Sequence, residues 1–265
     1  MDYSKLSDNL FLIAGPCVIE SEELLHTVAQ KLVEIKEKSG VEIIFKSSYD
    51  KANRTSINGF RGPGLEKGVE MLVSIREKYG LPVLTDVHSA EEASYAGKHL
   101  DILQIPAFLC RQTELLLSAA ETNAIVNVKK GQFLAPWDMK PLVEKLKSKT
   151  DKILLTERGS SFGYNMLVND MRSIPTMQDI GYPVVYDGTH SVQMPGGQGN
   201  STGGDRTQVP VLSRAAVAAG ASGLFWETHP DPDNAKSDGP NMLFLNDIEK
   251  LLSECISIYN IVRSK

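Results

Sequence analysis

The 265-residue sequence predicts a single (β/α)8 barrel, the TIM-barrel fold, that spans residues 1–265. Short apolar runs alternate with longer amphipathic stretches along the whole chain, and the short runs number eight. No linker or low-complexity block divides them. A length of about 250 residues is typical of one such barrel. An open doubly wound sheet is the alternative, but it would leave the count of eight as a coincidence.

Eight runs of apolar and β-branched residues are the predicted strands. Near-continuous apolar runs of this length suit strands that are buried on both faces, as in a parallel sheet. In chain order the runs are Leu10–Pro16, Glu42–Ser48, Leu81–Val87, Ile102–Ala107, Ala124–Lys130, Lys152–Arg158, Pro183–Thr189 and Gly223–His229.

The segments between these runs carry helix signals. Leu24–Lys38 and Leu65–Tyr79 show apolar residues at helical spacing, and each ends close to a glycine. Glycine is common just after a helix because it adopts the left-handed conformation without strain. Ser89 with Glu92 forms a capping box, and Asp138 is the predicted N-cap of the helix that follows it.

The bulk composition excludes several classes of protein. With 42% hydrophobic residues and a net charge of -5, the chain can bury one sizeable core and is not of the disordered class. No basic stripe predicts binding to nucleic acid or to a membrane surface. No apolar run approaches the roughly 20 residues of a membrane span, and no signal peptide is recognisable. Three widely spaced cysteines suit a reducing compartment, so we expect a cytoplasmic protein.

Polar side chains close or follow the predicted strands. The C-terminal ends of barrel strands surround the active site in this fold. One such residue is equally explained as the point where a strand enters water. Eight in succession predict a shared site, because unpaired charges are costly at a barrel mouth. The residues are Cys17, Lys46, Asp86 with His88, Gln104, Lys129, Arg158, Asp187 with His190, and Glu227.

Five cations are expected near this mouth although the net charge is negative. Phosphate and carboxylate are the natural partners of Lys and Arg, so the cluster predicts a ligand with more than one anionic group. Lys51 and Arg54 have an alternative interpretation as surface ion pairs, because cations on loops often pair with surface carboxylates. The strand-end cations Lys46, Lys129 and Arg158 are harder to explain in that way.

A metal site is a further hypothesis. Cys17, His190, Glu227 and Asp238 combine a thiolate, an imidazole and carboxylates, a donor set that suits zinc, iron or manganese. The four residues are far apart in sequence and form no recognised metal motif. A lone buried cysteine is more often an inert small hydrophobe. From the residues alone, both interpretations remain open.

Two glycine-rich segments also have two interpretations each. Phe60–Gly68 is either a phosphate-binding helix start or a simple loop and helix entry, and the loop is the commoner case. Met194–Arg206 is either a flexible connector or a mobile lid over the barrel mouth.

Taken in order, the motifs of this chain resemble those of the 3-deoxy-D-manno-octulosonate 8-phosphate synthase family. The resemblance extends from about Leu10 to the C-terminal helix, and it is specific because many motifs occur in one order. They are AGPCVIES (Ala14–Ser21), FKSSYDKANRTS (Phe45–Ser56), TDVH (Thr85–His88), QIPAFLCRQT (Gln104–Thr113), NVKKGQFLAPWD (Asn127–Asp138), TERG (Thr156–Gly159), DGTHSVQ (Asp187–Gln193) and ETHPDP (Glu227–Pro232).

The resemblance implies condensation of phosphoenolpyruvate with D-arabinose 5-phosphate in lipopolysaccharide (Kdo) biosynthesis. The alternative is the related seven-carbon synthase, which uses erythrose 4-phosphate and typically carries a KPRTS-type loop where this chain reads KANR. A zinc aldolase and a non-catalytic phosphosugar sensor are more distant rivals.

The resemblance also assigns the metal site. Members with cysteine at the position of Cys17 depend on a divalent metal, whereas the others have asparagine there. The implied ligands are Cys17, His190, Glu227 and Asp238, and the implied ion is zinc, iron, manganese or a similar metal.

Substrate-binding roles follow from the same resemblance, as does a homo-oligomer, typically a tetramer, in which Arg111 reaches a neighbouring site. Asn53, Arg54 and Thr55 would hold the sugar phosphate. The implied phosphoenolpyruvate site contains Lys46, Lys51, Gln104, Ala107, Lys129 and Arg158. The expected catalytic residues are Lys51, Asp86, His88, Lys129, Arg158 and His190.

Overall fold

The computed structural model describes residues 1–53, 56–194 and 203–263. Eight parallel strands follow one another around a closed barrel, which the last strand completes by pairing with the first, Gly223 opposite Phe11. The predicted (β/α)8 barrel is confirmed, and each predicted run contains one strand. The strands are β1 (Phe11–Gly15), β2 (Glu42–Lys46), β3 (Val83–Asp86), β4 (Ile102–Ile105), β5 (Ile125–Lys129), β6 (Ile153–Glu157), β7 (Val184–Asp187) and β8 (Gly223–His229).

Helices alternate with the strands and pack around the barrel. In the described parts of the chain they are α1 (Ser4–Asp8), α2 (Glu22–Ser39), α3 (Leu65–Tyr79), α4 (Ala90–Ala96), α5 (Thr113–Ala120), α6 (Met139–Lys147), α7 (Ser173–Gln178), α8 (Val209–Ala218) and α9 (Ile248–Arg263). None of these helices is long and apolar enough to cross a membrane.

Most of the predicted helix ends are confirmed. Gly40 and Gly80 end α2 and α3 in the left-handed conformation, with φ of 70° and 66°. The Ser89 hydroxyl accepts a hydrogen bond from the Glu92 amide at 3.2 Å and caps α4. The predicted cap by Asp138 is wrong, because that carboxylate accepts from the Ala135 amide instead. Asp138 already has helical backbone angles, whereas a side-chain cap requires an extended residue.

Alternation along β1 shows how the sequence builds two apolar layers. Phe11 and Ile13 point into the barrel, where they pack with the inward residues of the other strands. Leu12 and Ala14 point outward and pack against the surrounding helices. Leu6 of α1 packs, fully buried, against the inner cluster.

The connections on the C-terminal side of the strands carry small two-stranded ribbons. Ser160–Ser161 pairs with Leu167–Val168 in the connection after β6. Gln193–Met194 pairs with Gly203–Gly204 after β7, and the residues 195–202 between them lie outside the described residues. The segment Met194–Arg206 therefore keeps both of its interpretations, connector or lid.

Candidate active site

A cavity of about 1050 Å³ opens at the C-terminal ends of the barrel strands. This is the position expected for the active site of such a barrel. Most of the predicted site residues line it, and they come from every quarter of the barrel. These lining residues are Lys46, Lys51, Asn53, Asp86, His88, Gln104, Ala107, Lys129, Arg158, His190 and Asp238.

Lys46 and Glu227 form a buried ion pair in the floor of this cavity. The Lys46 ammonium lies 2.6 Å from the Glu227 carboxylate and donates a second hydrogen bond to the Cys17 carbonyl at 3.0 Å. Lys51 approaches the same carboxylate at 3.8 Å. Burial would raise the pKa of Glu227, but the charges of Lys46, His190 and Lys51 hold it well below its usual value. Glu227 is therefore ionised.

Lys129 and Asp187 form a second buried pair, on β5 and β7. Their side chains approach to 2.5 Å, and the His190 ring nitrogen Nδ1 lies 2.8 Å from the same carboxylate oxygen. Burial would raise the pKa of Asp187, but His190 and Lys129 lower it strongly. The Lys129 ammonium also lies 4.0 Å from the centroid of the Phe225 ring, which is a cation–π contact.

These two pairs change one prediction made from the sequence. The sequence predicted that only a bound anion would neutralise the cation cluster, whereas Glu227 and Asp187 already neutralise part of its charge. Arg158 differs, since no carboxylate among the described residues lies within ion-pairing distance. One of its terminal nitrogens donates to Gln193 at 2.7 Å, and the other is buried with no hydrogen-bond partner in the same set of residues. Burial lowers the pKa of Arg158, yet a guanidinium stays charged. Arg158 can therefore hold an anionic group.

The proposed metal ligands meet beside the first pair. Donor atoms of Cys17, Glu227 and Asp238 all lie within 4.8 Å of one another. The Cys17 sulfur lies 3.1 Å from the Asp238 carboxylate and 3.1 Å from the Ser237 hydroxyl. The fourth predicted ligand, His190, is next to this group, with its Nε2 3.6 Å from Glu227.

This donor set fits a divalent metal. Burial, together with the negative charges of Glu227 and Asp238, raises the pKa of the Cys17 thiol well above its usual value. A coordinated cation reverses that effect, because a metal-bound thiol is deprotonated. One oxygen of Glu227 is also buried and has no hydrogen-bond partner within the described ranges of the chain. A thiolate, an imidazole and two carboxylates are typical ligands of zinc or iron.

Asp86 and His88 lie on the cavity wall at the end of β3, which pairs with β2, the strand that carries Lys46. The imidazole nitrogen Nε2 is 3.1 Å from the Asp86 carboxylate, and Nδ1 is 3.1 Å from Glu92. Ser48 donates a short hydrogen bond to the other Asp86 oxygen. Asp86 is 8% exposed, so this carboxylate is almost as buried as the ion pairs in the cavity floor.

The remaining predicted residues fall into three groups. Gln104 is buried and accepts a hydrogen bond from Asn127 at 3.4 Å, while Asn53 and Ala107 line the cavity rim. Arg111 is exposed and lies outside the cavity lining of the single chain. Arg54 and Thr55 lie outside the described residues.

The glycines of Phe60–Gly68 follow the loop interpretation. Gly62 has a φ of 112°, and a side chain there would overlap the Tyr49 carbonyl oxygen. Gly64 precedes the first residue of α3 with a φ of 88°. Among the described residues of this segment, only Phe60 lines the cavity.

Gln193 makes contacts that were not expected from the sequence. Its oxygen accepts from Arg158, and its amide donates to Asp238 at 3.3 Å, so it joins Arg158 to the candidate metal ligands. Its position inside the DGTHSVQ motif was the available signal. Glu92 was noted only as part of a helix cap, although its i,i+4 spacing from His88 was an available signal for this contact.

The fold and this cavity define a barrel enzyme that handles anionic substrates, and comparison with known proteins agrees. A family model described as the DAHP synthetase I family matches residues 6–262, and the chain belongs to that family.

Three named relatives narrow the class. A protein from Trichlorobacter lovleyi is 58% identical over 255 residues, which cover 96% of this chain and 94% of that protein. One from Nitratidesulfovibrio vulgaris is 56% identical over 260 residues, 98% of this chain and 95% of that protein. One from Fusobacterium nucleatum is 57% identical over 253 residues, which cover 95% of this chain and 91% of that protein. All three are named 2-dehydro-3-deoxyphosphooctonate aldolase, and the predicted family resemblance is confirmed.

Proposed function

We propose that this chain condenses phosphoenolpyruvate with D-arabinose 5-phosphate and water. The products are 3-deoxy-D-manno-octulosonate 8-phosphate, a precursor in lipopolysaccharide biosynthesis, and inorganic phosphate. The observation that carries the proposal is the convergence of Lys46, Lys51, Lys129 and Arg158 on one cavity. The name of the relatives denotes an eight-carbon acid, which favours arabinose 5-phosphate over erythrose 4-phosphate.

The cations can serve two phosphorylated substrates. Phosphoenolpyruvate carries a carboxylate and a phosphate, and Arg158 with Lys129 can hold them by charge-assisted hydrogen bonds. Lys51 and Gln104 would complete that site, with Lys46 and the Ala107 backbone. The segment of Asn53, Arg54 and Thr55 would hold the sugar phosphate. A cavity of about 1050 Å³ is large enough for both ligands at once.

The reaction forms one carbon–carbon bond and breaks one carbon–oxygen bond. C3 of phosphoenolpyruvate attacks the aldehyde carbon, whose oxygen gains a proton. The water oxygen bonds to C2 and gives up one proton. The C2 hydroxyl then gives its second proton to the departing phosphate, which leaves with the electrons of its C2–oxygen bond as the keto group forms. Holding two substrates in one orientation supplies about 7–11 kcal/mol when the geometry is ideal. Lys129 and Arg158 stabilise the charge of the phosphate and carboxylate during these steps.

A divalent metal is part of the proposal. Cys17, His190, Glu227 and Asp238 would hold the ion, and the tight grouping of three of their donor atoms supports this. When bound, such an ion supplies Lewis-acid polarisation of an oxygen atom in the cavity. The protein's own contribution is Lys46, which keeps Glu227 ionised and positioned.

An oligomer is also proposed, with a tetramer as the expected form. Aromatic side chains on the connections after β4, β5 and β6 are solvent-exposed in the single chain, and exposed apolar patches mark interaction surfaces. Phe162 is 70% exposed and Trp137 is 67% exposed. Phe108 is exposed too and lines the cavity, so a partner bound there would close the active site. Arg111 lies three residues from Phe108 and would reach that partner's site.

We propose a cytoplasmic location. All three cysteines, Cys17, Cys110 and Cys255, are buried and unpaired in the structure. Free thiols persist in a reducing compartment.

The test is phosphate release from phosphoenolpyruvate with each aldose phosphate, before and after chelation by EDTA. We expect release with arabinose 5-phosphate, its loss after stripping, and its recovery with manganese, zinc or iron. Metal content is measured on the same samples by elemental analysis, so that an ion too tightly held to strip is recognised.

Each rival has its own result in this assay. Release with erythrose 4-phosphate alone would indicate the seven-carbon synthase. Carbon–carbon bond formation without phosphate release would indicate a zinc aldolase, and binding without turnover would indicate a sensor. Activity that persists after the protein is shown to be metal-free would contradict the catalytic metal and leave the synthase intact.

A further inference from the structure

His88 is held between two carboxylates, one on each side of its ring. Nε2 lies 3.1 Å from Asp86, and Nδ1 lies 3.1 Å from Glu92. An ionised carboxylate only accepts hydrogen bonds, so both ring nitrogens must donate. A histidine that donates from both nitrogens is an imidazolium. The geometry alone therefore assigns His88 a positive charge at the cavity wall.

The contacts of Glu92 hold the His88 ring in its doubly protonated form. A single carboxylate oxygen, Oε2, accepts from the Tyr49 hydroxyl at 2.6 Å, from the His88 amide at 2.7 Å and from the His88 ring. Glu92 lies in the first turn of α4, whose cap Ser89 receives the Glu92 amide. The Tyr49 ring meets the His88 ring edge to face, with centroids 5.7 Å apart. The imidazole cannot rotate without breaking these contacts.

We propose that Glu92 is a positioning residue, which keeps His88 doubly protonated and aimed at Asp86 beside the bound substrates. This inference rests on the proposed function, because it gives His88 a place in the condensation. Glu92 is absent from the cavity lining, so it acts through His88 rather than on substrate.

The charged groups around His88 agree with this assignment. Burial alone would lower the pKa of His88, but Asp86 and Glu92 raise it above the usual value. Asp50 contributes in the same direction from the segment after β2, although Arg61 already pairs with it. The cations Lys46 and Lys51 act on Asp86 and keep that carboxylate ionised.

An imidazolium at this wall matches a need of the reaction. When the new carbon–carbon bond forms, the aldehyde oxygen becomes a hydroxyl and gains one proton. The water that adds at C2 gives up two protons in all, one that balances this hydroxyl and one that leaves with the phosphate. The positive charge of His88 stabilises this oxygen while its negative charge develops, although both N–H groups of the ring donate to carboxylates. Glu92 keeps the His88 ring charged at pH values where a free imidazole is neutral.

The test is Glu92→Gln, which keeps the side-chain shape and removes the charge. We expect the alkaline limb of the kcat–pH profile to move to lower pH, because less negative charge surrounds the imidazolium. At the alkaline end kcat falls by about tenfold or more, and at the acid end the two proteins agree within about threefold. The ring titration of His88 is followed separately by NMR of labelled histidine. The sequence has five histidines, and a His88→Asn variant assigns the signal.

Two control variants separate charge from structure. Glu91→Gln makes the same change one residue away on the exposed side of α4, and we expect no shift. Tyr49→Phe removes a donor from Glu92 but leaves its charge, and we expect no shift to lower pH. An unchanged His88 titration in Glu92→Gln, or a uniform loss of kcat at every pH, overturns the proposal. The NMR titration needs no turnover, so it tests the charge of His88 even if the proposed reaction fails.

Discussion

The two ends of the barrel are built from the same strands but have opposite chemistry. At the N-terminal end, the inward residues are apolar, and Leu6 of α1 packs against them. At the C-terminal end, the inward residues are charged, and the pairs Lys46–Glu227 and Lys129–Asp187 are almost fully buried. On β8 the change occurs within two residues, between Phe225 and Glu227.

The contrast between the two ends shows how one fold separates stability from function. The apolar end gains free energy of folding by removing surface from water. The charged end gains little, because the desolvation of buried ions roughly offsets their attraction. Substitutions at the two ends should therefore act on different measured quantities, and the following predictions use that difference.

The largest expected effect is on stability, at the apolar end. Phe11→Ala removes a fully buried ring that packs against Gly223. We expect the free energy of unfolding to fall by about 3–5 kcal/mol, because a large core side chain leaves a cavity. Urea unfolding measures the loss, and kcat/KM of the folded protein should stay within about twofold. Ile261→Ala, at a residue 70% exposed on α9, is the control with little expected change. A large loss of kcat/KM in Phe11→Ala would contradict the conclusion that the apolar end of the barrel governs stability and the charged end governs activity.

The next effect is on activity, at the charged end. Arg158→Met removes the buried guanidinium that has no carboxylate partner among the described residues. We expect kcat/KM to fall by about 10²–10³-fold, since one preorganised donor to the developing charge is lost. The free energy of unfolding should change by less than about 1 kcal/mol, because the lost charge was costly to bury. Strong destabilisation with little change in kcat/KM would show that Arg158 is structural.

The smallest effect is a pH dependence of stability from Asp187. The pKa of this carboxyl is lowered in the folded protein by His190 and Lys129. Such a group stabilises the fold above its unfolded pKa, about 3.9, and this contribution is lost as the pH falls toward the folded pKa. We expect the stability gap between the unsubstituted chain and Asp187→Asn to narrow by about 1 kcal/mol from pH 7 to pH 3. A gap that widens on acidification would contradict the assigned direction.

The fold and the family were predictable from sequence because both depend on order along the chain. Each apolar run contained a strand, and the polar residue at its end marked the barrel mouth, as at Lys46 and Arg158. The runs were one or two residues too long at several ends. Gly188 and Thr189, for example, continue the polar pattern after β7 but already form the turn before His190.

The contacts between side chains were not predictable in the same way. The i,i+4 spacing of His88 and Glu92 allows a contact, but the helix cap already explains a glutamate there, so the spacing alone does not single the contact out. The pairing of Lys129 with Asp187 likewise depends on two strands that are brought together only by the barrel. A sequence pattern predicts which residues face the cavity, whereas the partner of each charge depends on three-dimensional packing.

The closure of the barrel has a consequence for the order of folding. β1 and β8 come from opposite ends of the sequence, and Phe11 meets Gly223 across the seam. Contacts of such long sequence separation form slowly, because the chain entropy of closing so large a loop opposes them. Cys17 follows β1 and Glu227 lies on β8, so two of the proposed metal ligands stand on the two sides of this seam. The proposed metal site can therefore assemble only after almost the whole chain has left the ribosome.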